Sequence, residues 1–136
     1  MELLGINHIT FAVRSLEPSF RFYVDVLGAK PRARWKRGAF LTLGGTWLAL
    51  LVGEPEVVNE DNYSHIAYSV APSAFAALDA RIRAAGTHLW SENQTAGDSL
   101  YFSDPDGHRL EIHASDLEAR LDAMDQKPPE GYRRLT

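Results

Sequence analysis

Two stretches of the chain alternate apolar and polar side chains in almost the same order. His8-Ile9-Thr10-Phe11-Ala12-Val13 recurs as His65-Ile66-Ala67-Tyr68-Ser69-Val70. A period of two predicts a half-buried strand in each. A helical period follows both. Residues 17–27 place Phe20, Tyr23 and Leu27 on one face, with Ser15 as cap and Gly28 as stop; residues 73–85 do the same with Phe75, Leu78, Ile82 and Ala85, and Gly86 ends them. Each helix gives way to a β-rich stretch. Residues 39–43 and 47–52 flank Gly44-Gly45, and residues 99–103 and 109–113 flank Asp104-Pro105-Asp106-Gly107, both hairpin signals.

Each unit therefore reads as β-α-β-β-β, and the chain as one α+β domain over 1–136. Module one spans 5–53 and module two 63–114, joined by a turn-rich acidic linker over 53–62 that carries Pro55. A third helix opens the segment 115–136. Ser115 with Glu118 three residues on fits a capping box, Leu117, Leu121 and Met124 share a face, and Lys127-Pro128-Pro129 ends it.

Composition narrows the function. The chain has 136 residues, 45% of them apolar, and a net charge of −4. That suits a single core and offers no basic stripe for nucleic acid. With no Cys, disulfides, thiolate metal sites and a Cys nucleophile are excluded. No run approaches the roughly 20 apolar residues of a membrane span, and the N-terminus has no basic start or apolar run of a signal peptide. The expectation is a cytoplasmic domain.

Superimposing the two units aligns His8 with His65. Aligning the last hairpins through Gly45 and Gly107 pairs Ala49 with Glu111. A pseudo-twofold axis would bring these four positions to one centre, and three can bind a metal. Two imidazoles and one carboxylate hold a divalent ion while leaving coordination positions open to a substrate. An unpaired buried Glu would be costly, and a metal is a good partner for it. His113 shares a strand face with Glu111 and is a rival ligand; His108, beside the turn, reads as structural and His88 as surface or core.

The paired units, their leading histidines and the run Asp104-Pro105-Asp106-Gly107-His108-Arg109-Leu110-Glu111 resemble the vicinal oxygen chelate (glyoxalase/bleomycin-resistance/dioxygenase) superfamily over about residues 5–114. That resemblance implies paired βαβββ modules in a cupped mixed sheet around a metal. A longer likeness runs through Ile6-Asn7-His8-Ile9-Thr10, Gly38-Ala39-Phe40-Leu41, Thr46-Trp47-Leu48, Asp61-Asn62-Tyr63-Ser64-His65, Gly97-Asp98-Ser99-Leu100-Tyr101-Phe102 and Leu117-Glu118-Ala119-Arg120-Leu121. These segments are similar to the fosfomycin-resistance glutathione transferases, which open the epoxide of fosfomycin with the thiol of glutathione, use Mn²⁺ and are stimulated by K⁺. They are domain-swapped homodimers whose sites draw on both subunits.

The resemblance implies His8, His65 and Glu111 as metal ligands and Thr10 as an active-site residue beside them. It implies Arg120, Tyr101 and Ser99 on the phosphonate side, Trp47 and Tyr63 as pocket walls, and Asn93, Thr95, Gly97 and Ser99 on a loop around K⁺. Some positions depart from the pattern. Ser91 stands where the family has a Lys, Ala96 where it has an acidic residue, Phe40 where it has a Tyr linked to thiol ionisation, and Pro129 where it has a tail Tyr. These bear on thiol, K⁺ and phosphonate handling, not on the ligands.

Other chemistries of the superfamily fit less well. An epoxide hydrolase needs a carboxylate base, and residues 27–52 contain no Asp or Glu. A glyoxalase I-type site needs a fourth ligand where Ala49 stands. Extradiol dioxygenases share the ligand triad but use Fe²⁺ in longer chains. Drug-sequestering relatives lack the ligand set, so an intact triad argues for an enzyme.

Overall fold

A computed structural model describes residues 2–56 and 59–135. The middle of the linker and both terminal residues lie outside them. Module one contains β1 (His8–Val13), α1 (Leu16–Arg21), β2 (Lys30–Trp35), β3 (Gly38–Leu43) and β4 (Thr46–Val52). Helix α1 continues as a π-helix over Phe22–Val26. Module two contains β5 (Ile66–Ser69), α2 (Pro72–Ala84), β6 (Ser99–Ser103) and β7 (Arg109–His113), followed by α3 (Leu117–Gln126).

The strands form two sheets, one of four strands ordered β1-β4-β3-β2 and one of three ordered β5-β7-β6. Each has a parallel pair at its first strand and an antiparallel hairpin beyond it, so each is mixed. The first unit is the β-α-β-β-β expected. In the second, the segment that pairs with β6 is short: besides the Ser91–Tyr101 bridge, Trp90 N–H donates to the Tyr101 carbonyl (3.3 Å) and Ser103 N–H to the His88 carbonyl (2.9 Å). The Trp90 indole turns inward there and donates to the Leu110 carbonyl (3.0 Å), and the polar run after it leaves the sheet edge.

Both sheets bury the same alternate set of side chains in one core. Phe11, Val13, Leu41, Leu48 and Leu50 of the first sheet join Leu100, Phe102, Leu110 and Ile112 of the second, with Tyr23 and Ile82 from the helical segments. Phe22 and Phe102 approach to 6.3 Å between ring centroids, across the modules. The opposite faces, which carry His8, Thr10, His65, Glu111 and Tyr101, are thereby left for chemistry.

The turn Asp104-Pro105-Asp106-Gly107 fastens module two onto module one. Asp104 accepts from the Tyr23 hydroxyl (2.7 Å) and from the backbone N–H groups of Asp106 and His108 (2.9 Å each). Asp106 accepts from the Arg14 backbone N–H and the Ser19 hydroxyl (3.0 Å each). His108 donates from Nε2 to the Ala12 carbonyl (2.8 Å) and stacks on Phe11, which gives it the structural role expected. Burial holds the Asp104 carboxyl above its ordinary range, and the Tyr23 hydroxyl and His108 oppose the shift.

The helices follow their signals with one change of cap. Ser15 and Ala71 precede α1 and α2 without a side-chain cap bond. At α3 the cap is Asp116, not Ser115: its carboxylate accepts from the Ala119 N–H (2.9 Å). The tail folds back on α3, where Arg134 reaches Glu118, Asp122 and Asp125. Among the described residues no helix is long and apolar enough to cross a membrane.

Candidate metal centre

Strand register fixes which residues meet. In module two, Glu111 of β7 lies between Ala67 of β5 and Tyr101 of β6. His65 immediately precedes β5 and reaches Glu111 diagonally: Nε2 stands 2.9 Å from Oε1. The other ring nitrogen is 2.6 Å from the Tyr63 carbonyl. A carbonyl only accepts, so Nδ1 carries its proton and Nε2 is the nitrogen turned toward the carboxylate. A backbone partner that fixes the imidazole in this way is the usual support of a metal-ligating His. Glu111 is buried at 5% exposure, and its Oε2 accepts from the Ser99 hydroxyl (2.7 Å).

Aromatic side chains wall this pair. Trp90 lies 5.2 Å from His65 and 5.1 Å from Tyr101, with Tyr63 at 5.6 Å on another side. Arg109 stacks over the outer face of Trp90. Interaction with the Tyr101 hydroxyl, then partial burial, raises the Tyr63 hydroxyl above its ordinary range; Glu111 adds to the shift and Arg120 opposes it. The sequence assigns Trp90 no role, and its signal there is its place before Ser91, where the resembling family has a Trp followed by a Lys.

Arg120 enters from α3 and donates to Thr95 (3.2 Å), while its Nε–H is buried without a partner. A buried guanidinium donor left open in this way suits an anionic ligand. The loop below closes on itself. Asn93 donates to the Gly97 carbonyl (2.9 Å) and accepts from the N–H and hydroxyl of Thr95 (3.0 and 2.9 Å). A K⁺ ion would have to compete with these bonds for the same oxygens.

His8 lies elsewhere. It precedes the centre of β1 on the first sheet, stacks on Trp47 with centroids 4.4 Å apart and contacts Asn7 Oδ1 through Nδ1 (2.8 Å). Its Nε2 has no hydrogen-bond partner among the described residues, whereas that of His65 faces Glu111. Phe40 packs edge-on against Trp47 (5.2 Å), and Trp35 against Phe40 (4.8 Å). Thr10 is exposed on this sheet, opposite Ala49. Among the described residues, no group of three or more His, Asp or Glu comes together to hold a metal in one chain. The single chain thus joins two of the three expected ligands. Symmetry told which positions are equivalent, but each sheet turns its own open face outward from the shared core. His113 is not paired with His65; it contacts Ser99 instead (2.6 Å). His88 is exposed.

Comparison with known proteins places this geometry. Residues 5–112 match the model of the Glyoxalase/Bleomycin resistance protein/Dioxygenase superfamily. The chain belongs to this superfamily. Within it, the chain groups with the Fos proteins. It is 42% identical over 132 residues to the glutathione transferase FosA of Serratia marcescens, covering 95% of this chain and 94% of FosA. It is 36% identical over 133 residues to the metallothiol transferase FosB of Shouchella clausii, covering 93% and 90%. A crystal structure of the Listeria monocytogenes fosfomycin resistance protein FosX, complexed with Mn(II) and 1S,2S-dihydroxypropylphosphonic acid, superimposes with a TM-score of 0.79 at 29% identity, over 89% of this chain and 98% of FosX. The paired-module fold expected from the sequence is the fold of these relatives.

Proposed function

We propose that this Fos protein is a divalent-metal-dependent transferase that adds the thiol of glutathione to fosfomycin, and that its site is completed between two copies of the chain. The observation that carries the reading is the His65–Glu111 pair. Its imidazole is fixed through Nδ1, its Nε2 faces a buried carboxylate, and it stands in a chain 42% identical to a glutathione transferase. His8 of a second copy supplies the third ligand, and it too is held through Nδ1. Exposed apolar side chains around both halves, Ile6 (81%), Trp47 (39%) and Tyr63 (59%), support a partner surface.

His8, His65 and Glu111 would hold Mn²⁺ or another divalent ion. Bound there, the ion supplies Lewis-acid stabilisation of charge that develops on the epoxide oxygen. The chain's own residues bind and orient. Arg120, with its unpartnered Nε–H, grips the phosphonate, with Tyr101 and Ser99 beside it. Thr10 lies on the strand face of His8, beside the ligands. Trp47 and Tyr63 wall the pocket and exclude water. The thiolate sulfur attacks a ring carbon, the C–S bond forms, the C–O bond breaks, and the oxygen takes up a proton to become a hydroxyl. K⁺ at Asn93, Thr95, Gly97 and Ser99 would offset phosphonate charge once the loop's own bonds open.

Water as nucleophile would need a general base, and residues 27–52 of module one hold no Asp or Glu. The test is consumption of fosfomycin by the purified protein with Mn²⁺, in the presence of glutathione, cysteine or neither. Glutathione-dependent consumption that disappears in His8→Ala and in Glu111→Ala is expected. Consumption that survives both substitutions overturns the reading.

A further inference from the structure

His113 does not pair with His65 and is mostly buried. Its Nδ1 is 2.6 Å from the Ser99 hydroxyl, which is itself 2.7 Å from Glu111 Oε2. The direct distance from His113 Nδ1 to Oε2 is 3.5 Å, so the serine links the two. A serine hydroxyl has one hydrogen, and a carboxylate only accepts. The hydrogen of Ser99 therefore goes to Glu111, and His113 must donate to Ser99 from Nδ1. The imidazole is 15% exposed and roofed by the following loop: Ala114 donates to the Asp98 carbonyl (2.9 Å). Gly97 allows this close cover, because a Cβ there would stand 3.3 Å from His113 Cε1 and 2.7 Å from Ser115 Cβ.

We propose that His113 is a positioning residue that acts through Ser99 to hold Glu111. The relay ties back Oε2, so that Oε1 stays aimed at the His65 Nε2 position. The proposal rests on the metal reading above. Partners behind a ligating carboxylate are of the kind that tune metal affinity.

The experiment titrates Mn²⁺ into metal-free wild type, His113→Ala, Ser99→Ala, the double variant and His113→Asn, reading free Mn²⁺ by electron paramagnetic resonance. His113→Ala and Ser99→Ala should each weaken binding about tenfold. The double variant should weaken it no further than either alone, because both break one relay. His113→Asn, whose side-chain amide can donate from near the Nδ1 position, should stay within about threefold of wild type. In the metal-free protein, ¹⁵N correlation spectra should show the His113 proton on Nδ1, and Ser99→Ala should disturb that signal. Wild-type affinity in His113→Ala, or additive losses in the double variant, would overturn the relay alone. Failure of the wild type to bind Mn²⁺ would overturn the metal reading and the relay's role together.

Discussion

The two half-sites share a register and differ in what they place on it. Across the first sheet, Thr10, Ala49 and Phe40 stand in a row; across the second, the same positions are Ala67, Glu111 and Tyr101. The first half is an aromatic ladder, Trp35-Phe40-Trp47, that ends on one imidazole. The second is a polar network in which His65, Ser99, His113 and Glu111 are already bonded. Duplication thus supplied one geometry twice, and the two copies separated the work. In the proposed site, one half is a wall that offers His8 and the other is the charged centre. A pair of identical halves would offer that site two carboxylates or none.

The sharpest way to break this comparison is to take the carboxylate from the charged half. Glu111→Gln keeps the shape and removes the anionic ligand, so turnover should fall on the order of 10³-fold, equivalent to about 4 kcal/mol of transition-state stabilisation. Steady-state kinetics with Mn²⁺ in excess reads it, and retention of a tenth of the wild-type rate would show that the second half is not the charged centre. His8→Ala should be equally inactive although nothing of the core is touched. Mixing and reannealing His8→Ala with Glu111→Gln then tests whether the halves meet across copies. Random pairing gives about a quarter of wild-type activity, since half the dimers are mixed and each mixed dimer has one intact site. A mixture as inactive as its parents would place both halves of each site in one chain.

A second set of variants addresses the clamp between the modules. Asp106→Ala strands the buried Ser19 hydroxyl and removes the acceptor of the Arg14 N–H, and should cost about 2 kcal/mol in urea denaturation. Tyr23→Phe removes the donor to a buried carboxylate and should cost about 1–3 kcal/mol. Asp104 also sets a pH signature. Because burial raises its folded pKa above that of the unfolded chain, the folded state holds the proton longer. Its contribution to stability is therefore greatest at low pH. It falls as pH climbs from the ordinary aspartate range to the raised value and stays level above that. Asp104→Asn should lack this drop, so the gap in stability between wild type and variant should change with pH only inside that window.

Much of this was legible because it is local. Alternation in 8–13 and 65–70, the Gly44-Gly45 and Asp-Pro-Asp-Gly turns and the helical faces each depend on neighbours in sequence. The clamp was not legible. Asp104 and Asp106 read as turn formers, and nothing near them signals Tyr23, Ser19 or Ala12, all more than eighty residues away. The separation of His8 from His65 was hidden for another reason. A repeat shows which positions are equivalent, whereas the side each sheet presents depends on how both bury their other faces in one core. The shortness of the pairing beside β6 was not legible either, because the bonds of His88 and Trp90 to β6 and of the Trp90 indole to the Leu110 carbonyl are long-range.

The smallest expected effect sets a helix start in module one against the one in the C-terminal segment. Ser15 and Asp116 both precede helices and both have a capping side chain, yet only Asp116 bonds the helix it precedes. Asp116→Ala should therefore cost about 1 kcal/mol, near 3 °C in Tm for a chain of this size, whereas Ser15→Ala and Ser115→Ala should each shift stability by less than about 0.5 kcal/mol. Helix α3 carries Arg120, whose Nε–H is buried without a partner. With Arg120 gripping the phosphonate as proposed, fraying the first turn of α3 should raise KM for fosfomycin more than it lowers kcat. Equal losses from Ser15→Ala and Asp116→Ala in thermal melts would show that the Asp116 cap bond adds nothing to the stability of α3.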